Sequence, residues 1–237
     1  MPDLMDRYLN GEHIEVWNEL RSHNPKAAEQ EAAWLVATET MRRVARNADR
    51  LAARLDANGW KSLGGALRTP TAETDKLLIQ RIETATGAPL PISLHAFWLN
   101  VGGIDFVWDY NSTVAAPDLI ASLEMDDMDP MCVYSPASID FEITEWEESD
   151  EFRAPFRVPL APDYLHKINV SGGDPYGVDL PFYGFDPIFR EDRHALPFVD
   201  YLRLCFRFAG FPRLEQISES DSLRNFLNLW TGDLEEF

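Results

Sequence analysis

The side chains most able to do chemistry in this sequence are carboxylates, and they are gathered in its middle. No Lys or Arg occurs between Arg81 and Arg153, whereas the 71 intervening residues carry fifteen Asp and Glu, twelve of them within residues 118–151. Because like charges repel one another, a basic partner that neutralises them would gain a large electrostatic contribution to its association rate. The pattern favours a docking surface for a basic protein, and a solvated acidic loop is the alternative.

We expect the partner contacts to come from acids of this stretch and from two aromatic residues that would serve as exposed anchors. The predicted binding residues are Glu124, Asp126, Asp127, Asp129, Glu145, Trp146, Glu147, Glu148, Asp150, Glu151 and Phe152.

The same acids do not form a recognisable metal site. An EF-hand loop that began at Asp127 would place Cys132 where a glycine is required and Ser138 where the twelfth-position Glu belongs. The five histidines include no His-Glu-x-x-His pattern, so no zinc site is indicated. We therefore expect no metal and no cofactor.

The sequence also lacks the motifs typical of nucleophilic catalysis, phosphate binding and dinucleotide binding. His166 lies near Asp163 and His194 lies near Asp192, but lone pairs of this kind are more typical of surface or hairpin residues than of catalytic bases. We predict no catalytic residue and no enzyme activity. A carboxylate-dependent hydrolase whose residues converge only in three dimensions stays an alternative.

Composition limits the partners further. The chain carries 40 Asp and Glu against 21 Lys and Arg, a formal net charge of −19, which disfavours direct binding of nucleic acid and of anionic membranes. Its two cysteines, Cys132 and Cys205, are too few for a disulfide framework and are expected to be ordinary thiols in a reducing compartment. No export signal opens the sequence, and prolines and glycines interrupt the uncharged stretch 84–104. We predict a cytoplasmic protein.

The elements that would carry these residues fall into two regions. Residues 1–65 are predicted to form a helical hairpin: a helix over 12–23 packs against a long helix that begins after Pro25 and ends before Gly59. Along the long helix, apolar residues alternate at spacings of three and four from Trp34 to Leu55. A Gly-containing connector over 62–68 sets the domain boundary, and residues 66–237 form the second region.

The long helix also carries a stripe of arginines opposite its apolar seam. These are Arg43, Arg46, Arg50 and Arg54. The first interpretation is an exposed, charged face of the helix that also carries Glu39 and Asp49. The alternative is contact with an acidic surface, either within this chain or on another copy.

The second region is predicted to be α+β, with helices, then strands, then helices. Thr69 and Pro70 are expected to begin a helix that ends at Gly87, and a short helix bearing Leu94 to Val101 follows. Predicted strands cover 104–110, 132–134, 139–145 and 165–170, with a glycine turn at 171–174 and a returning strand at 176–180. Two more helices begin at Pro197 and near Asp221.

The second region contains in succession a helix ending in Gly87, the Leu90-Pro91 step, Phe97-Trp98, and Gly102-Gly103 before a strand. This succession resembles the SUKH superfamily, which includes cell-wall-synthesis regulators and many bacterial immunity proteins. Asp163, Lys167, Ser171-Gly172-Gly173 and Tyr176 resemble its central strand pair, and Phe198 to Pro212 resembles its closing helix. The resemblance covers about residues 70–214. It implies a mixed β-sheet flanked by helices, no catalytic machinery, and use as a cytoplasmic antidote that binds a toxin domain.

The leading hypothesis is therefore a non-enzymatic, protein-binding module of a bacterial competition or toxin–antitoxin system. As an immunity protein it would neutralise a basic toxin domain, such as a nuclease, through an acidic surface. A regulatory scaffold of the same fold that binds a housekeeping partner is the second hypothesis. Self-association stays open.

Overall fold

The structure is a computed structural model, and it describes residues 3–22, 27–109, 128–149, 155–170, 172–217 and 220–237. Within these residues the chain is α+β, with eight α-helices and two small antiparallel sheets. The helices are α1 (Leu4–Leu9), α2 (His13–Ser22), α3 (Ala27–Ala57), α4 (Asp75–Thr86), α5 (Ile92–Asn100), α6 (Asp140–Glu148), α7 (Phe198–Arg207) and α8 (Asp221–Thr231). The strands are β1 (Arg68–Thr69), β2 (Gly103–Asp105), β3 (Cys132–Val133), β4 (Phe156–Ala161) and β5 (Tyr176–Leu180).

The two helices of the predicted N-terminal hairpin are present as α2 and α3. The seam of α3 is buried, and the Trp17 indole N–H donates to Thr40 Oγ1 at 3.1 Å, which ties α2 to α3. The helix ends where Gly59, at φ +78°, allows the Trp60 N–H to reach the Leu55 carbonyl at 2.9 Å. The six-residue α1 is an addition that the sequence analysis did not predict.

The arginine stripe of α3 is covered by the last residues of this same chain. Glu235 accepts from Arg46 Nη2 at 2.6 Å and from Arg50 Nη1 at 3.1 Å, while Arg54 pairs with Asp233 at 2.6 Å. Arg43 donates to the Glu236 carbonyl, and Arg54 also donates to that of Trp230. Both interpretations are observed in part: Glu39 of the same helix pairs with Arg43 at 3.0 Å and with Arg46 at 3.7 Å, and acidic groups from the end of the chain cover the rest of the stripe.

The first part of the second region differs from prediction at the start of α4. Thr69 and Pro70 do not begin a helix, because Arg68–Thr69 pair with β2 as an edge strand. The helix starts at Asp75, whose carboxylate accepts the Ala72 N–H at 2.8 Å, and it ends as predicted at Gly87. The helices α5, α7 and α8 lie where they were expected.

Two predicted strands are wrong. Residues 139–145 lie mostly in α6, because Ile139 and Ile143, one helical turn apart, are the buried pair, whereas Phe141 is exposed. Residues 165–170 contain a 3-10 turn, and the partner of β5 is β4 instead. Pro159 weakens the strand signal of β4 and lies at an irregularity in its pairing.

Core residues from both sides of residue 65 pack together. A Cβ added to Gly210 would meet the Phe106 ring and come within 4.0 Å of Leu51, and Trp60 Nε1 donates to the Phe106 carbonyl at 3.0 Å. The seam of α3 is thus covered within the chain, largely by α5. The domain boundary at residue 65 stays a prediction. None of the helices in the described ranges is long and apolar enough to cross a bilayer.

Candidate partner-binding surface

The described part of the predicted acidic surface is the outer side of α6. The buried side of this helix holds Ile143, which packs toward α4 and β4. Phe141 lies on the other side and is 66 % exposed, and Glu145 and Glu148 follow it at i+4 and i+7. Glu142, next to Phe141, is exposed as well. We call these four residues the α6 surface.

The acids at the inner edge of α6 are neutralised by one arginine of α4. Arg81 donates through Nη1 to Asp140, and through Nη2 to Thr144 Oγ1 at 2.7 Å and Glu147 Oε2 at 3.0 Å. Glu147 is therefore engaged within the chain. In contrast, no Lys, Arg or His in the described ranges pairs with Glu142, Glu145 or Glu148. Negative charge on α6 is concentrated on its outer side, around an exposed phenylalanine.

Asp129 does not belong to a surface, and its prediction as a contact residue is wrong. It is 2 % exposed, and its carboxylate accepts from Lys167 Nζ at 2.7 Å and from the Tyr176 hydroxyl at 3.3 Å. Burial is the largest influence on the pKa of Lys167 and acts to lower it, but the charge and hydrogen bond of Asp129 and the nearby thiols of Cys132 and Cys205 together outweigh burial and raise that pKa. The pair is a structural element of the interior.

Trp146 is not the exposed anchor that the sequence predicted. Its ring is partly buried against the core and lies 5.1 Å from that of Phe156, at an angle of 39°. Phe141 is the exposed aromatic residue on this helix, and the sequence analysis missed it. The available signal was the helical spacing of Ile139, Ile143 and Trp146, which places residue 141 on the outer side. Six predicted contact residues lie outside the described residues: Glu124, Asp126, Asp127, Asp150, Glu151 and Phe152.

A cleft of about 290 Å³ lies beside the α6 surface and contains the first of the two acid–histidine pairs. Glu142, Asp163 and His166 all line it. His166 Nδ1 contacts the Asp163 carboxylate, which also accepts the Leu165 N–H at 2.8 Å. Burial acts to raise the pKa of Asp163, but these hydrogen bonds outweigh it and lower that pKa. A carboxylate-dependent hydrolase would have its catalytic groups here.

The second acid–histidine pair lies elsewhere. His194 Nδ1 is 3.1 Å from the buried Asp192 carboxylate, and its Nε2 is 2.5 Å from Glu215. Both imidazole nitrogens are thus engaged with acids of this chain. Across the parts of the chain that the structure describes, no group of three or more His, Cys, Asp or Glu side chains is arranged to hold a metal ion.

No family model matches this chain, and neither a curated protein nor a solved structure matches it. The SUKH resemblance therefore stays a prediction drawn from the residues themselves.

Proposed function

We propose that this protein is a non-enzymatic module that binds a basic protein through the α6 surface. The observation that carries the proposal is Phe141, an exposed aromatic ring bordered by three glutamates that no described cation pairs with. Aromatic residues inside a charged rim are the usual energetic centre of a protein interface. The chemistry of this surface is complementary to a basic partner with an apolar pocket or groove.

The charge of the whole chain supports the same partner. At a net charge of −19, the protein attracts cations over a longer range than the contact itself, and Arg46, Arg50 and Arg54 of α3 are already paired with acids within the chain. Association with a basic protein would be fast at low salt and slower as ions screen the field.

Within this class, we favour an immunity protein of SUKH type that neutralises a cationic toxin domain such as a nuclease. A nuclease offers a basic surface to phosphates, and an acidic protein can occupy that surface by the same electrostatics. The SUKH-like residues in the helices between about 75 and 103 and from Phe198 to Pro212 support this proposal, whereas residues 165–170 do not form the central strand that the resemblance implies. A regulatory scaffold of the same fold is the alternative, and it differs in having a housekeeping partner.

The test asks whether a neighbouring gene encodes a toxic protein that this protein neutralises, and it continues with binding kinetics on the two purified proteins. The triple variant Glu142→Lys, Glu145→Lys and Glu148→Lys should lose protection of cells and should associate more slowly, because it reverses the charge around Phe141. The matched control reverses three exposed acids elsewhere that no described cation pairs with: Asp3→Lys, Asp6→Lys and Glu15→Lys.

The two triple variants change net charge equally, so only a local role of the α6 surface separates them. Loss of association rate in the first variant alone supports the proposal. Equal rates in both variants would place the interface elsewhere. A neighbouring protein without toxicity that still binds through the α6 surface would favour the regulatory scaffold.

The hydrolase alternative rests on one observation, the shared cleft of Glu142, Asp163 and His166. Its test is separate from binding. Hydrolysis of a peptide or ester substrate that disappears in both Asp163→Asn and His166→Ala, with folding intact, would make this chain an enzyme.

A further inference from the structure

A groove lies on the other side of α4 from α6, and five of its twelve lining residues are aromatic. It has a volume of about 750 Å³, within the range of ligand pockets, and it combines residues of α3, α4, α5 and the loop after β5. The residues that matter for its chemistry are Trp34, Glu83, His95, Phe182, Tyr183 and Phe185. We call this feature the aromatic groove.

The walls of the groove are fixed by hydrogen bonds and ring contacts. Glu83 Oε1 accepts the Leu90 N–H at 2.9 Å, which attaches the turn before α5 to α4. The Ser93 N–H donates to the Phe185 carbonyl at 3.0 Å, which attaches the loop after β5 to the first turn of α5. The His95 ring meets the edge of Trp34 at 5.1 Å and 74°. The groove is therefore formed before any ligand arrives.

The charged groups of the groove are all acidic at neutral pH. Glu83 and the exposed Glu31 both line it, and no Lys or Arg is among its described lining residues. The nearest potential cation is His95, whose Nδ1 lies 3.8 Å from Glu83. Burial lowers the pKa of His95, and the attraction of Glu83 offsets this only in part, so the imidazole is neutral at pH 7. Two carboxylates thus stand beside aromatic rings without a counter-charge.

We propose that the aromatic groove binds an arginine or lysine side chain carried by a basic segment of the protein partner. Aromatic faces attract a cation through their quadrupole, and a nearby carboxylate adds charge attraction, so the two kinds of wall select the same ligand. An acidic segment would be repelled. Tyr183, 71 % exposed at the rim, is available to close over the aliphatic part of the bound side chain. The identity of the partner rests on the proposed function, whereas the ligand chemistry of the groove does not.

The test uses a short peptide, so it requires no knowledge of the partner. Acetyl-Gly-Arg-Gly-amide is titrated into ¹⁵N-labelled protein, and the same peptide with citrulline in place of arginine is the neutral control. The arginine peptide should shift the amide signals of Trp34, His95 and Gly184 in a saturable way. The citrulline peptide should bind about tenfold more weakly, because it lacks the charge that the rings and carboxylates attract.

Variants locate the effect. Tyr183→Ala and Glu83→Gln should each weaken arginine-peptide binding; the amide of Gln keeps an oxygen that can accept the Leu90 N–H. Trp34→Ala should abolish binding. Leu35→Ala is the matched control, since Leu35 is an exposed neighbour on α3 that does not line the groove. Unchanged binding in Tyr183→Ala and Glu83→Gln would overturn the inference, even if Trp34→Ala fails to fold.

Three other outcomes of the titrations would overturn the inference. Equal binding of the citrulline peptide would show that charge is not recognised, and peptide shifts confined to α6 would show that the groove is not the site. Saturation by tetramethylammonium without any response to the peptide would identify a small cation as the occupant. Each of these three results overturns the inference and leaves the proposed role of the α6 surface standing. Conversely, failure of the Glu142, Glu145 and Glu148 reversal to slow the partner leaves the peptide result unaffected.

Discussion

Lys167 Nζ lies 2.7 Å from Asp129 Oδ1, and both side chains are almost completely buried. Taking two charges out of water is costly, so such a pair is tolerated only where its geometry and further hydrogen bonds compensate. Here the Tyr176 hydroxyl lies 3.3 Å from the second Asp129 oxygen, and Lys167 also lies over the Tyr176 ring at 4.8 Å. The pair joins the turn after β4 to the chain just before β3. It explains why an acid of the acidic stretch is an interior residue.

Replacing Lys167 by Met should destabilise the protein by about 3–5 kcal/mol, because it leaves the Asp129 carboxylate buried without its counter-charge. The measurement is the free energy of unfolding in urea. The double variant Lys167→Met and Asp129→Asn removes both charges, and it should recover part of the loss. A double variant as unstable as the sum of two independent single changes would contradict the ion-pair explanation.

Phe141→Ala should weaken binding of the partner by about 2 kcal/mol, close to thirtyfold in dissociation constant, and should leave the thermal midpoint nearly unchanged. The ring is already exposed in the free protein, so its removal costs the fold little. Leu229→Ala is the control, because Leu229 is similarly exposed on α8, at 75 %. Equal affinities of the two variants in calorimetry would show that Phe141 is not part of the interface.

The helices could be predicted where their apolar spacing has one interpretation. In α3 the seam alternates by three and four over seven positions, and only a helix buries all of them together. In α6 the run Ile139, Phe141, Ile143 fits a strand as well as a helix. Packing against α4 decided between them, by burying the two isoleucines and exposing the phenylalanine. The local sequence holds both signals, the alternation of a strand and the helical spacing of Ile139, Ile143 and Trp146, and does not by itself choose between them.

The candidate sites were predictable to different degrees. The charge of the α6 surface is visible in the sequence, because absence of Lys and Arg is a property of one continuous stretch. The sequence does not show which of these acids stay unpaired, because Arg81 reaches Asp140 and Glu147 only after folding. The aromatic groove was not predicted at all. Its walls come from residues 30–34, from residues 83–95 and from residues 182–185, and no local motif connects these positions.

Glu235→Gln should reduce stability at neutral pH but not in acid. Hydrogen bonds from Arg46, helped by Arg50, lower the pKa of Glu235 from 4.5 to about 2. Because the pKa in the folded state is the lower one, the stabilisation is complete above pH 4.5 and is lost as the pH falls toward 2. Because this ion-pair network lies at the surface, we expect Glu235→Gln to lower the free energy of unfolding at neutral pH by about 1 kcal/mol at low salt.

The measurement is the difference in thermal midpoint between wild type and Glu235→Gln from pH 7 down to pH 3. Glu236→Gln is the control, because only the backbone carbonyl of Glu236 bonds to the arginine stripe. A difference that persists undiminished at pH 3, or an equal effect of the control, would show that the charge of Glu235 is not what holds the last residues on α3.

The affinity of the aromatic groove for the arginine peptide should fall as the pH is lowered from 7.5 through the pKa of His95. His95 is held neutral by burial, and its protonation would place a positive charge beside Trp34 and neutralise the attraction of Glu83. When His95 is protonated, the groove should repel the peptide. The apparent association constant should therefore fall to half its full value at the pKa of His95, which lies below 6.5. Titration of the His95 ring signals by NMR gives that pKa independently.

His95→Gln should bind the peptide with no pH dependence over this range, whereas His166→Gln, outside the groove, should keep the pH dependence of the wild type. If His95→Gln loses affinity in acid as the wild type does, another group controls the groove.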